Sequence, residues 1–168
     1  MFLVARVTHL LEKGIAPEEI IVLTRDPAAR EAIENDIKKT AGELCILPRI
    51  VTFSAFSEEL VTRHADILGV KEDVCALPPD EVMRYAQRLL GTDPFLRNQY
   101  GKQTRYLLVD DFNALSGSEL ALVDLLGAAW RNICVIGSLE PARTLFDVRT
   151  DHFQTFRAQY IGATEIIL

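Results

Sequence analysis

Tyr106-Leu107-Leu108-Val109-Asp110-Asp111-Phe112-Asn113 is the stretch whose reading decides the fold. Its apolar run shows no alternation, the pattern of a strand covered on both faces inside a parallel sheet. Two adjacent carboxylates close it. In open α/β sheets, ligands bind beyond the carboxyl ends of such strands. Two acids there can hold a hard cation and take a proton from water. The plainer alternative is that Asp110 and Asp111 only open a turn, since acids favour turns.

Working outward, strands and helices alternate. On the carboxyl side, Ser116-Gly117-Ser118-Glu119 has the form of a capping box, serine at the cap and glutamate three residues on. The helix it opens is expected to reach Trp130, burying Leu122, Leu125, Leu126 and Ala129. A strand over 133–137, a weak helix over 146–156 and a last strand over 165–168 follow. On the amino side, residues 1–13 read as a helix with an apolar stripe of Phe2, Val4, Val7, Leu10 and Leu11, stopped by Gly14. Residues 20–24 read as a buried strand. Asp26 caps the next helix and Pro27 suits its first turn, with Ala29, Ile33 and Ile37 inward. A strand over 50–53 precedes a helix over 54–68, whose core side is Phe56, Leu60 and Ile67. Asp80 can cap a helix running to Leu90, and residues 91–101 read as loop or short helix anchored by Phe95. The class is α/β with a parallel sheet and helices on both faces. Residues 1–168 read as one domain, with a short helical excursion at about 71–102.

Composition bounds the function. With 168 residues, 49% of them hydrophobic, the chain can bury a substantial core. A net charge of −6 argues against a domain that grips nucleic acid by electrostatics alone, although a basic groove can sit on an acidic body. Cys45, Cys75 and Cys134 are odd in number and lack metal spacing, which fits a reducing, cytoplasmic setting. No signal peptide and no membrane-spanning run is expected. His9, His64 and His152 are scattered, so a zinc site is not expected. Trp130 reads as a residue at the core's edge.

Taken in order, these segments resemble the first RecA-like domain of superfamily 1 DNA helicases of the UvrD/Rep/PcrA type. Residues 1–11, MFLVARVTHLL, are similar to the helix that follows that family's P-loop. Leu23-Thr24-Arg25-Asp26-Pro27-Ala28-Ala29-Arg30 resembles motif Ia, TFTNKAA, and Thr52-Phe53-Ser54-Ala55-Phe56 resembles the TFHSF motif. Leu107 to Asn113 resembles motif II, LVDEFQD. Cys134-Val135-Ile136-Gly137 with Phe146 resembles motif III. The resemblance implies a three-layer RecA-like, P-loop NTPase-type sheet and coupling of ATP hydrolysis to movement along single-stranded DNA in repair. It implies that Asp110 reaches Mg2+, that Asp111 orients the attacking water, and that Asn113 stands for a glutamine. It further implies that Thr24, Arg25, Thr52, Phe53, Ser54 and Phe56 lie along the DNA face, where stacking and backbone contacts suit sequence-independent binding. The alternative for Phe53 and Phe56 is a core role at helical spacing.

The departures from the family bear on catalysis. No GxxxxGK[ST] occurs in the 168 residues, so the amides and lysine that cradle phosphates are missing. Asp111 replaces glutamate, drawing the base back by about an ångström, a displacement that can cost on the order of 10²-fold. Ser138-Leu139-Glu140-Pro141 stands where DDDQ is expected, and Ala114 replaces another acid. The chain is therefore expected not to hold ATP and Mg2+ productively. It reads as a piece of a helicase, to be completed by the remaining helicase domains. The alternative is a catalytically dead module that binds single-stranded DNA or a repair partner. A receiver-like or phosphotransferase domain is a third possibility, but it lacks the later acceptor acid and lysine. Because the family's P-loop strand lies within the sheet, its loss is expected to leave a gap, closed by rearrangement, by a partner chain or by self-association at an edge.

Overall fold

The structure is a computed structural model that describes residues 2–70, 73–137, 152–164 and 166. Four strands, β1 (Ile20–Thr24), β2 (Arg49–Thr52), β3 (Tyr106–Val109) and β4 (Ile133–Val135), form one all-parallel sheet in the order β2-β1-β3-β4. The register sets Val22 beside Ile50 and Leu108, and Leu108 beside Cys134. The described sheet is continuous, so of the three expected ways to close the gap it is the strands themselves that close it, β1 pairing directly with β3. Both interior strands are paired on both sides, so among the described residues unpaired ladder groups fall on the outer edges of β2 and β4.

All five residues of β1 are buried, because helices cover both faces of the sheet. Successive residues divide between the faces. Ile20, Val22 and Leu108 join one core with α1 (Phe2–Glu12) and α2 (Pro27–Ala41) through Leu3, Val7, Ile33 and Ile37. Ile21, Leu23, Leu107 and Val109 join the larger core. That core is completed by α3 (Phe53–Arg63), α5 (Pro79–Thr92), α6 (Pro94–Gln103) and α7 (Gly117–Gly127), with α4 (Ala65–Leu68) a short appendage after α3. Among the described residues the larger core holds 21 buried residues against ten in the smaller, so most of their hydrophobic stabilisation resides on that side.

Local chemistry explains several boundaries. Asp26 Oδ1 accepts from Ala28 N at 2.9 Å, and Pro27 opens α2. Thr52 Oγ1 accepts from Ala55 N at 3.1 Å, so Thr52 caps α3 and Phe53 is its first residue rather than the end of a strand. Asp80 is not a cap. It lies in the first turn of α5, which starts at Pro79 and runs past Leu90 to Thr92. Residues 94–103 are helical because Asp93 Oδ1 accepts from Phe95 N and Leu96 N at 2.9 and 3.0 Å. Leu96 and Tyr100 anchor that helix, whereas Phe95 is exposed. Ile67 is likewise exposed. The capping box at Ser116 and Glu119 is formed in both directions. Its helix ends at Gly127, leaving Ala129 exposed and Leu125 half-buried.

α8 (His152–Gln159) packs against the 3-10 turn Phe112–Ala114 through Phe153 and Phe156, whose ring centroids lie 5.6 and 5.4 Å from that of Phe112. The expected helix over 146–156 is described only from His152 on, and it extends to Gln159. The expected strand at 165–168, Ser138 and Pro141 lie outside the described residues, Ile166 apart. No described helix is long and apolar enough to cross a membrane.

Candidate functional site

A parallel sheet sends all its strand ends the same way, so the carboxyl ends of β1 to β4 gather the sequence-marked residues along one ledge. Asp110 follows β3 directly, and its N–H donates to Leu23 O of β1 at 3.0 Å. On the other side, Phe112 N donates to Ile136 O beyond β4 at 2.8 Å. The two acids thus sit between the tips of both neighbouring strands.

The backbone turns sharply at this point. Asp111 is left-handed, at φ 51° and ψ 42°, a region that non-glycine residues enter at a cost and that aspartate tolerates better than most. Turning there lets Ala114 N donate to Asp111 O at 2.9 Å and swings Phe112 into the core, 2% exposed. Asp110 remains half-buried. Burial pushes its carboxyl above the usual carboxylate range; the Asp111 amide opposes this, and the Asp111 charge adds to it. Asn113 lies close to β4's end: a Cβ added at Gly137 would collide with Asn113 Oδ1 and fall 3.1 Å from the Phe153 ring. Asn113, Gly137 and α8 therefore close one side of the tip.

The β1 and β2 tips are built differently. Thr24 is buried, its Oγ1 accepting from Asp26 N at 3.4 Å. Arg25 is exposed, and its Nε lies 3.3 Å from Glu119 Oε1. Glu119 Oε2 accepts from Ser116 N at 2.6 Å, so the carboxylate steadying Arg25 is itself fixed by the capping box. Thr52 is buried as a cap, with Ser54 Oγ 3.2 Å from its hydroxyl and Ser54 itself exposed. Phe53 and Phe56 are each 1% exposed in the larger core. Neither ring offers a face to a base in this conformation, which removes Phe53 from the stacking role expected of it.

The ledge therefore brings together Asp110, Asp111, Asn113, Thr24 and Arg25 of the residues marked in the sequence, with Thr52 at the end of β2 and Ser54 in the first turn of α3. Reading the sequence missed Glu119 as the partner of Arg25. It also missed the approach of Gly137 to Asn113. The first had a signal, a capping-box glutamate with a second oxygen to spare; the second depends on tertiary contact alone.

The ledge's donor set is thin for a magnesium triphosphate. Among the described residues, no group of three or more His, Cys, Asp or Glu could hold a metal ion. Magnesium can bind through one or two carboxylates when phosphates complete its shell. Here burial disfavours the charge on Asp110, and the sequence has no Gly-rich turn to present amides to the phosphates. The residues present do not fit the group, and no catalytic step follows from them. Comparison with models of known protein families and with curated proteins finds no match.

Proposed function

We propose that this chain is a RecA-like domain of the superfamily 1 helicase type, three-layered, with the acids of motif II and without the means to hydrolyse ATP by itself. The observation that carries this reading is the position of Asp110 and Asp111 at the carboxyl end of interior strand β3, flanked by the tips of β1 and β4. In such a domain Asp110, Asp111 and Asn113 would mark the nucleotide end of the sheet, without holding the nucleotide in this chain. The absent phosphate loop argues that uptake of nucleotide by this chain alone is weak. Isothermal titration with ATP and Mg2+ tests this: the reading expects no magnesium-dependent heat at micromolar protein, and saturable tight uptake contradicts it.

A second reading is favoured by the exposed part of the ledge. Arg25 and Ser54 are open to solvent beyond buried Thr24 and Thr52, so the domain serves as a module for single-stranded DNA or a repair partner. With the aromatic rings buried, binding to DNA would rest on phosphate contacts rather than stacking, and affinity would fall steeply with salt. Anisotropy with a labelled oligonucleotide at low and moderate salt measures it. The expected result is weak, salt-sensitive binding that Arg25→Glu abolishes. Binding unchanged by salt or by Arg25→Glu would exclude the ledge as the DNA face.

A further inference from the structure

The outer edge of β4 is open among the described residues, and its ladder shows which groups are on offer. Leu107 N donates to Asn132 O and Ile136 N to Val109 O. Residues 132, 134 and 136 therefore direct their backbone groups toward β3. Ile133 and Val135, between them, direct N–H and C=O outward, and no described strand lies on that side. An edge of this kind is a template for another strand, and many proteins blunt it with proline, a bulge or an inward-pointing charge. None of these interrupts residues 133–135.

Beside this edge lies a cavity of about 210 Å³, lined among others by Leu10, Tyr106, Ile133 and Cys134 and carrying Arg6 and Arg131. Neither arginine has an ion pair among the described residues; Arg131 has only the Tyr160 ring, 5.9 Å from its guanidinium carbon. Arg6 stands near enough to Cys134 to oppose the burial that raises its thiol pKa. Two uncommitted cations at an open edge are notable in a chain of net charge −6.

We infer that the outer edge of β4 is a docking site for an extended acidic peptide segment, added as a fifth strand. Its backbone pairs with Ile133 and Val135, and its carboxylates reach Arg6 and Arg131. Backbone pairing supplies affinity in this mode and side chains supply selectivity, with guanidinium–carboxylate pairs the selective element. The inference does not rest on the nucleotide or DNA readings, since it concerns the sheet's edge and not the ledge at its strand ends.

The test uses labelled peptides of about six residues, an ordinary strand length, alternating valine with glutamate or valine with lysine. Anisotropy is expected to show the glutamate peptide binding at least tenfold tighter than the lysine peptide. Arg6→Glu with Arg131→Glu should reverse that preference. Val135→Pro should abolish binding while leaving the β3–β4 ladder intact, because it removes only an outward donor. Hydrogen exchange should show new protection confined to Ile133 and Val135 when the glutamate peptide is bound, a readout that does not depend on the variants folding. Equal binding of both peptides, or protection elsewhere, overturns the inference. A concentration-dependent dimer abolished by Val135→Pro overturns it in favour of a second copy. Tighter binding of a single-stranded oligonucleotide at the same two arginines overturns it in favour of phosphate.

Discussion

Asp110 and Asp111 adjoin in sequence yet sit under different constraints, and each gives a separate experiment. Burial raises the folded-state pKa of Asp110 above its ordinary 3.8. The folded state therefore holds that proton more tightly than the unfolded state does. The group's contribution to stability is fully present below the unfolded pKa and is lost as pH rises through the folded pKa. Asp110→Asn removes this loss, so the variant should gain stability relative to the parent as pH rises from about 3 to 7. The gain should be small, on the order of 1 °C in Tm, because water reaches the half-buried carboxyl and screens it. Thermal melts across that range check the sign, and a parent that gains on the variant toward neutral pH would contradict it. At Asp111 the constraint is the backbone, at φ 51°. Asp111→Gly should stay within about 0.5 kcal/mol of the parent, whereas Asp111→Val should lose about 1–3 kcal/mol, since a branched side chain resists the left-handed region. Urea midpoints separate the two.

At the scale of elements, helix starts determine which side chains reach the ledge. Thr52 caps α3, which turns Phe53 into the core and leaves Ser54 outside. Phe53→Ala should therefore cost about 3–5 kcal/mol, as full burial of an aromatic ring predicts, while Ser54→Ala should stay within about 0.5 kcal/mol. Chemical denaturation of both variants tests whether the ring belongs to the core or to a binding face. Ser116→Ala should lower stability by about 1 kcal/mol through loss of the Oγ cap, while Glu119 stays held by the amide of residue 116. Much of this was legible in the sequence. The alternation of apolar runs and amphipathic stretches gives all four strands and most helices, and Ser116 with Glu119 declares a helix start. The start of α3 was not legible, because Phe53 suits a strand as well as a helix and only the Thr52 cap decides between them. Asp93 hides in the same way: its cap makes a helix of residues that otherwise read as loop or short helix. The outward faces of Phe95 and Ile67 depend on how α6 and α4 are rotated against their neighbours, which no local pattern reveals.

For the molecule as a whole, one four-stranded parallel sheet gathers its acids at one end, and among the described residues the edge at β4 carries no further strand. Asp110 and Asp111 at the end of an interior strand were legible because a fully apolar run closed by carboxylates has few other homes in a parallel sheet. The continuity of the sheet was not, since strand order depends on crossovers the sequence does not encode locally. The central claim is that the acids persist where the grip on a triphosphate does not. Phosphate release from ATP, followed with Mg2+ and with or without a single-stranded oligonucleotide, tests this most directly. The account predicts no release above the protein-free rate, identical in the parent and in Asp110→Asn. Sustained release by the 168-residue chain, dependent on magnesium and lost in Asp110→Asn, would contradict it.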